Sequence, residues 1–161
     1  MPPGEPSSQE ERRALELAWH AVSKRERTVV ELRALLERKR VEPAAIEEAV
    51  AELRAAGALD DASFASRFAE DRQSLERWGS ERIARDLRRR GVDPALIDQT
   101  LAARRREDEL SAALALLAEK VPVPPADDRE RDRAWRMLVR KGYEPELAYE
   151  AVRAHGRAQA A

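Results

Sequence analysis

The fold is decided by residues 87–94, which read Leu-Arg-Arg-Arg-Gly-Val-Asp-Pro, because related octapeptides stand 51 residues before and after them. The earlier copy, 36–43, reads Leu-Glu-Arg-Lys-Arg-Val-Glu-Pro, and the later copy, 138–145, reads Leu-Val-Arg-Lys-Gly-Tyr-Glu-Pro. Self-similarity at a fixed period is the signature of structural units arranged in tandem. The chain is therefore predicted to contain three repeats of about 51 residues.

Each octapeptide predicts the end of one helix, a tight turn and the start of the next helix. Proline at the first helical position loses no internal hydrogen bond and presets φ, and glycine closes the preceding helix in a left-handed conformation. Arg40 stands where the later copies have glycine, and the same conformation is expected to cost about 1 kcal/mol there. The residues assigned to these structural roles are Leu36, Leu87 and Leu138 as buried residues, Pro43, Pro94 and Pro145 as helix starts, and Gly91 and Gly142 as turn residues.

A further amphipathic helix precedes each of these helix pairs, over 10–23, 61–77 and 107–120. We therefore expect an all-α fold of three tandem three-helix, helix-turn-helix-like repeats that form an elongated curved array. The proline-rich stretch 121–125 is predicted to be an extended connector. The expected divisions are a disordered leader (1–9), repeats at 10–59, 60–106 and 107–156, and a frayed tail (157–161).

Composition excludes several classes of protein. The 161 residues carry 30 Lys and Arg against 31 Asp and Glu, so a globally basic nucleic-acid binder is excluded and any phosphate contact must be local. Cysteine is absent and only two histidines are present, which removes disulfides, thiolate metal sites and cysteine nucleophiles. No apolar run is long enough to cross a membrane. We expect a cytoplasmic monomer without cofactor or metal.

Arginines concentrate on the predicted helix 80–90. Arg82, Arg85 and Arg89 fall at i, i+3 and i+7 and share the face opposite Ile83 and Leu87. With the neighbouring arginines, residues 77–90 hold six Arg against two acids, a local charge of +4. Two interpretations stay open. This face either contacts an anion, such as DNA phosphates or an acidic partner, or is an ordinary solvated face. The candidate contact residues are Arg77, Trp78, Arg82, Arg85, Arg88 and Arg89.

A second run, Arg104-Arg105-Arg106, is followed by Glu107, Asp108 and Glu109, and we expect it to be a solvated helix junction. The tryptophans divide differently. Trp19 and Trp135 lie within apolar stripes and are expected in the core, whereas Trp78 precedes Gly79 at a repeat boundary and is either a core anchor or an interface residue.

Adjacent acids before a helix stabilise its positive end, so Asp60 and Asp61 are interpreted as caps that open the helix containing Phe64. They are not interpreted as catalytic carboxylates or a metal pair. His20 and His155 lie in different repeats without a Ser or Cys partner at a useful spacing, which does not favour general-base catalysis. The chain is not expected to be an enzyme.

Three segments of the sequence resemble a known family. Residues 57–65, Gly-Ala-Leu-Asp-Asp-Ala-Ser-Phe-Ala, and residues 78–94, from Trp78 to Pro94, are similar to the central part of the RecX family. The third repeat is similar through 138–143. The resemblance extends from about residue 11 to residue 155 and is most specific in the middle repeat.

The resemblance implies a partner that the residues alone do not identify. RecX proteins are non-enzymatic regulators that bind RecA and its filaments on single-stranded DNA. They lie in the filament groove and suppress the ATPase, strand-exchange and coprotease activities of RecA, with consequences for DNA repair and the SOS response. A weak direct contact with single- or double-stranded DNA is compatible with this function.

Two other function classes remain. A free-standing helix-turn-helix DNA-binding protein would explain a short-turn helix pair with an arginine face, although the net charge of −1 and the scarcity of Asn, Gln and Lys weaken it. A carboxylate-based nuclease has only Asp60 and Asp61 in its favour. The RecA regulator is the leading hypothesis.

Overall fold

The computed structural model describes residues 8–158, and within this range nine α-helices follow one another without a β-strand. The all-α expectation is confirmed. The helices form three modules of three. Module 1 contains α1 (Gln9–Lys24), α2 (Val29–Arg38) and α3 (Pro43–Ala55); module 2 contains α4 (Asp61–Glu76), α5 (Ser80–Arg89) and α6 (Pro94–Ala102); module 3 contains α7 (Arg106–Lys120), α8 (Asp128–Arg140) and α9 (Pro145–Ala158).

The first helix begins earlier than the sequence interpretation placed it. Ser8 is the N-cap of α1, because its hydroxyl accepts from the Glu11 N–H (3.1 Å) and its own N–H donates to the Glu11 carboxylate (3.2 Å). This reciprocal capping box stabilises the helix start, so the expected leader was wrong for residues 8 and 9. Residues 1–7 lie outside the described part of the chain.

At the other end, α9 continues to Ala158, so Arg157 is helical where a frayed tail was expected. The rest of that predicted tail, 159–161, lies outside the described residues. None of the described helices is both long and apolar enough to span a membrane.

Each module encloses its own apolar core. The first helix of a module packs against the third, and the second helix packs on the third to close the bundle. Leu36, Leu87 and Leu138 occupy the same position in the three cores and are each 0% exposed. Truncation of such a residue removes contacts on all sides, which typically costs about 2–5 kcal/mol.

The tryptophans do not behave as a group. Trp19 was expected in the core, but its side chain is 41% exposed, because the small residues Ala14, Ala18 and Ala21 form the buried face of α1. Trp135 is half-buried against the core of module 3, with its indole N–H donating to the Pro145 carbonyl (3.0 Å). An apolar stripe in the sequence therefore overestimated how far the helix α1 is buried.

The three turns between second and third helices share one backbone conformation. Gly91 and Gly142 have φ of 83° and 99°, and Arg40 has φ of 57°. The left-handed conformation is confirmed at all three positions, including the one where an arginine must adopt it. A non-glycine residue pays steric strain there of about 1–2 kcal/mol.

Successive modules are joined in the same register. The start of α2 lies against the turn of module 2, where the Thr28 hydroxyl donates to the Arg90 carbonyl (2.6 Å). The start of α5 lies against the turn of module 3, where the Gly79 N–H donates to the Lys141 carbonyl (2.9 Å). Thr28 and Gly79 are 51 residues apart, as are Arg90 and Lys141. The repeat therefore extends to the contacts between modules.

The close approach explains why two of the three turns require glycine for a second reason. A Cβ at Gly91 would lie 2.6 Å from the Cβ of Val30, and a Cβ at Gly142 would lie 2.3 Å from the Cβ of Arg82. Either distance is an overlap of atoms. The turn of module 1 has no module docked on it in the described chain, and it is there that arginine replaces glycine.

Candidate partner-binding face

The helix α5 separates apolar and basic residues on its two sides. Ile83, Ala84 and Leu87 are buried in the core of module 2, and Arg85, Arg88 and Arg89 are exposed. The periodicity of the sequence predicted this division, and glycine at the N-cap leaves α5 without a side-chain cap. Those three guanidinium groups form the exposed arginine face of α5.

Arg82, which was grouped with that face, is used within the molecule. Its guanidinium carbon lies 3.9 Å from the centre of the Trp78 ring, and its Cβ borders the turn at Gly142. A cation over an indole ring gains electrostatic attraction of about 0.5–2 kcal/mol, depending on desolvation. The guanidinium of Arg82 is therefore engaged within module 2, beside the turn of module 3, and is only partly available to a partner.

Trp78 is a core anchor, and its assignment to a partner-binding surface was wrong. The side chain is 7% exposed and meets the ring of Phe68 edge to face, with 6.5 Å between ring centres. A second guanidinium, that of Arg72, lies 5.1 Å from the indole ring. The position before Gly79 was ambiguous in sequence because a module boundary can be buried as well as exposed.

Two further arginines near α5 also have partners within the chain. Arg77 ends α4 in the left-handed conformation with φ of 55°, and its guanidinium lies 3.7 Å from the Glu119 carboxylate. Arg90 donates twice to Glu31 of module 1 (2.6 and 3.2 Å) and covers the ring of Phe64. The local charge of +4 is thus partly consumed by contacts between modules.

The remaining three arginines differ in their freedom. Arg89 is 3.2 Å from Asp86 on the same helix. Arg85 and Arg88 have no ion pair within residues 8–158 and line a shallow groove with Leu101. An exposed, unpaired guanidinium presents a rigid fork that matches phosphate and carboxylate oxygens. These two residues are the best-placed cations of α5 for an external anion.

The run Arg104–Arg106 was expected to be solvated throughout, but one of its three guanidinium groups is buried. The three guanidinium nitrogens of Arg104 are buried and have no hydrogen-bond partner among the described residues. Burial lowers the pKa of Arg104, an effect that the nearby Glu109 carboxylate opposes. Arg105 and Arg106 are exposed, and Arg106 pairs with Glu150 at 2.7 Å.

A second arginine face was missed by the sequence interpretation. Arg136 and Arg140 of α8 stand 51 residues after Arg85 and Arg89 and are likewise exposed. Module 1 has Ala34 and Arg38 at the two equivalent positions. The 51-residue period was itself the signal that could have found this face, had it been followed along the exposed positions as well as the buried ones.

The two adjacent acids act on different helices. Asp60 is the N-cap of α4, and hydrogen bonds from the backbone and hydroxyl of Ser63 (3.1 and 2.9 Å) lower its pKa. Asp61 does not cap α4; its carboxylate accepts from the Val29 N–H at the start of α2 (3.0 Å), and burial raises its pKa. The cap interpretation was therefore correct for Asp60 and wrong in its target for Asp61.

No cluster of three or more His, Asp or Glu that could hold a metal is found in the described part of the chain. His155 is buried in module 3, with its Nε2 2.7 Å from the Val121 carbonyl, and His20 lies exposed on α1. The two histidines thus belong to separate modules, and the hydrogen-bond partner of His155 is a backbone carbonyl.

Comparison with protein families places both later modules. A family model described as the second three-helix domain of RecX matches residues 60–101, and one described as the third three-helix domain of RecX matches residues 107–152. The two models together account for more than half of the chain. Their matched ranges begin at the N-cap of α4 and within the first turn of α7.

Whole-chain relatives agree with these matches. The chain is 33% identical over 153 residues to the regulatory protein RecX of Deinococcus radiodurans, covering 94% of this chain and 73% of that protein. It is 34% identical to the RecX of Mycobacterium avium, with 92% and 86% covered. The crystal structure of RecX from Lactobacillus salivarius superposes with a TM-score of 0.83 at 15% identity, covering 91% of this chain and 96% of that one.

Proposed function

This chain belongs to the RecX family of regulatory proteins, and on that premise we propose that it binds the RecA recombinase and its filaments on single-stranded DNA. Binding would inhibit the ATPase, strand-exchange and coprotease activities of RecA without any catalysis by the protein itself. The proposed contact is the exposed arginine face of α5, namely Arg85, Arg88 and Arg89.

One observation carries the assignment of that face. Arg85 and Arg88 are exposed without an ion pair in the described chain, whereas Arg77, Arg82 and Arg90 contact Glu119, Trp78 and Glu31. Charges that stabilise the fold need no external partner, and charges left unpaired attract one. An anionic strip, either DNA phosphates or acidic side chains of the recombinase, is the ligand that this face fits.

The free-standing DNA-binding alternative receives less support. In helix-turn-helix proteins the helix after the short turn enters the major groove. The helix after the turn at Gly91 is α6, whose sequence, Pro-Ala-Leu-Ile-Asp-Gln-Thr-Leu-Ala, contains no Lys or Arg. The basic residues lie on α5, which itself follows the three-residue turn 77–79, so the net charge of −1 remains the main argument against this alternative.

The proposal is tested by inhibition of the DNA-dependent ATPase of RecA with the wild type and with Arg85→Glu/Arg88→Glu. Each lost contact of an exposed charge is worth about 0.3–1 kcal/mol, so the concentration for half-inhibition should rise roughly threefold to thirtyfold. Because both side chains are exposed, the fold should survive, which circular dichroism would check.

The matched control is Arg12→Glu/Lys24→Glu, which changes two exposed cations of α1 by the same total charge. Arg104 is unsuitable for a control because its guanidinium is buried. The control should inhibit like the wild type. Failure of the wild type to inhibit or bind RecA would overturn the proposed function. A folded α5 variant that inhibits as well as the wild type would move the contact to another face.

A further inference from the structure

Module 3 ends the described array in a groove of about 940 Å³. The groove lies between α8 and α9 and is closed on one side by Pro124 and Pro125 of the extended connector. Its floor contains Trp135, Tyr149 and Val152. The Tyr149 side chain is 59% exposed.

The aromatic floor is specific to module 3. Trp135 occupies the position held by Arg33 in module 1 and by Ala84 in module 2. The position of Tyr149 is held by Glu47 in module 1 and by Asp98 in module 2. In module 1 these two positions form an ion pair, with Arg33 donating to both oxygens of Glu47 (2.8 and 2.9 Å). The chain has only three Trp and two Tyr, and one of each lines this groove.

The same face has a defined neighbour where another module follows. In module 1, Val30, Arg33 and Arg54 line a groove whose opposite wall is the turn of module 2, from Gly91 to Leu96. The residues 102 positions later are Asp132, Trp135 and Gly156, and all three line the groove of module 3. No module follows within residues 8–158 to supply the opposite wall. The groove of module 3 is thus equivalent, in the repeat, to the surface of module 1 on which module 2 docks.

The unpaired charge of the groove is positive. Asp128 pairs with Arg131 (2.6 Å) and Asp132 pairs with Arg136 (2.9 Å), so both carboxylates are neutralised. Arg153 and Arg157 are exposed, lie one helical turn apart on α9 and have no ion pair in the described part of the chain. The Arg153 guanidinium lies 5.6 Å from the centre of the Tyr149 ring. The rim therefore favours carboxylates.

We propose that this groove binds a segment of a partner protein in which an apolar side chain is followed or preceded by acidic residues. The apolar side chain would pack on Trp135, Tyr149 and Val152, and its acidic neighbours would pair with Arg153 and Arg157. Trp, Tyr and Arg are the residue types that dominate binding energy at protein interfaces. The inference rests on the proposed function in one respect: the segment is taken to belong to the RecA filament.

The test compares binding of the full-length protein to RecA filaments on single-stranded DNA, measured by fluorescence anisotropy of a labelled chain. Tyr149→Ala/Arg153→Glu removes one exposed ring and reverses one exposed charge. Loss of such a pair typically costs about 1.4–2.7 kcal/mol, so the half-saturating filament concentration should rise roughly tenfold to a hundredfold. Arg153→Glu/Arg157→Glu, which leaves the aromatic floor intact, should weaken binding in the same direction.

The matched control is Trp19→Ala/Arg12→Glu, which removes an exposed ring and reverses an exposed charge on α1. It should bind like the wild type. If the wild type binds filaments and both groove variants bind equally well, the groove is not a contact and this inference alone falls. If the wild type does not bind filaments, the proposed function falls first and takes this inference with it.

Two other occupants of the groove would be revealed by the same proteins. Sedimentation in the absence of RecA should give identical mass for the wild type and both groove variants; self-association lost in the variants would show that a second copy fills the groove. Oligo(dT) alone should bind all of them equally; selective loss of oligo(dT) binding would show stacking of bases on Tyr149. Either result would overturn the proposal.

Discussion

Two junctions join the modules, one between modules 1 and 2 and one between modules 2 and 3. Equivalent positions meet at both junctions, but the hydrogen-bond donors are different atoms. At the first junction a side chain spans the gap, since the Thr28 hydroxyl reaches the Arg90 carbonyl. At the second junction the backbone itself arrives, since the N–H groups of Gly79 and Glu81 donate to the carbonyls of Lys141 and Gly142, both at 2.9 Å.

The difference shows what a backbone contact requires of the sequence. A Cβ at Gly79 would lie 2.3 Å from the carbonyl carbon of Gly142, so the second junction excludes every side chain at this position. Thr28 fills the equivalent space and supplies the donor through its hydroxyl. At this position the second junction therefore has no room for a side chain, whereas the first accommodates a threonine and uses its hydroxyl as the donor.

The largest effect is expected for Gly142→Ala. The new methyl group would meet the backbone nitrogen of Arg82 at 2.6 Å and would also be strained by the φ of 99°. Overpacking against a rigid neighbour costs about 1–3 kcal/mol and left-handed strain about 1–2 kcal/mol, so the free energy of unfolding should fall by about 2–5 kcal/mol. Urea denaturation followed by circular dichroism measures it.

Gly57→Ala is the control for the strain alone. Gly57 has φ of 74°, and a Cβ there would have nothing within 4 Å. Its cost should stay near 1–2 kcal/mol, about the cost of a left-handed alanine. If Gly142→Ala and Gly57→Ala lower the free energy of unfolding equally, the close approach at the second junction does not add to the cost of a side chain there. The proposed difference between the two junctions would then be wrong.

A smaller effect is expected from alkaline pH, and only at the second junction. The Tyr143 hydroxyl donates to the Arg77 carbonyl (2.8 Å), and burial, with a lesser contribution from Glu109, raises the pKa of Tyr143 from 10.0 to about 12. The folded protein therefore holds this proton more tightly than the unfolded chain. The resulting stability is complete below pH 10 and is lost between pH 10 and 12, an amount of about 3 kcal/mol for two pH units.

Denaturation midpoints of the wild type and Tyr143→Phe across pH 8–11.5 would show this loss as a difference of slopes, since all other ionisable groups are common to the two proteins. The phenylalanine variant should start less stable and decline less steeply above pH 10. Parallel slopes would contradict the assignment of a buried, proton-retaining phenol to this junction.

The smallest of the three effects is expected for Thr28→Val, which keeps the shape of a fully buried side chain and removes its hydroxyl. That hydroxyl donates to the Arg90 carbonyl and accepts from the Glu31 N–H (3.2 Å), so it both joins the modules and caps α2. The expected loss is about 1–2 kcal/mol. Ser8→Ala, which removes a cap without a junction, provides the reference in the same denaturation assay. A loss no larger than that of Ser8→Ala would leave the hydroxyl with a capping role only.

The sequence predicted the contents of each module well because packing within a module repeats every 51 residues. The buried leucines, the prolines at helix starts and the left-handed turns at Gly91 and Gly142 follow from side-chain size and backbone preference at single positions. Arg40 was the stringent case, and its left-handed φ of 57° follows the repeat against the preference of the residue.

Contacts between modules could not be predicted in the same way. Asp61 meets the N–H of Val29, 32 residues away, and the Gly79 N–H meets a carbonyl 62 residues away. Backbone carbonyls are the same in every residue and leave no mark in the sequence. The burial of the Arg104 guanidinium has the same origin, because Glu109 and Tyr143 of module 3 lie close to it.

At the candidate site, helical spacing predicted which arginines leave the core but not which of them remain free. Arg82 and Arg85 are both arginines on one face of α5. Within residues 8–158, Arg82 is engaged and Arg85 is free only because Trp78 and the turn of module 3 lie beside Arg82. The aromatic groove of module 3 was missed because Trp135 and Tyr149 are 14 residues apart, on two helices.

Arg40 also affects how a second copy of the protein could dock on the turn of module 1. A surface that docks head to tail on a copy of itself generates a ring or, if the rotation does not close, an open fibre. Each internal turn of this protein accepts the start of a neighbouring helix only because glycine leaves room for it. A second molecule approaching the turn of module 1 in that way would collide with the arginine side chain. The arginine at this turn thus fills the space through which one module of the chain docks on the next.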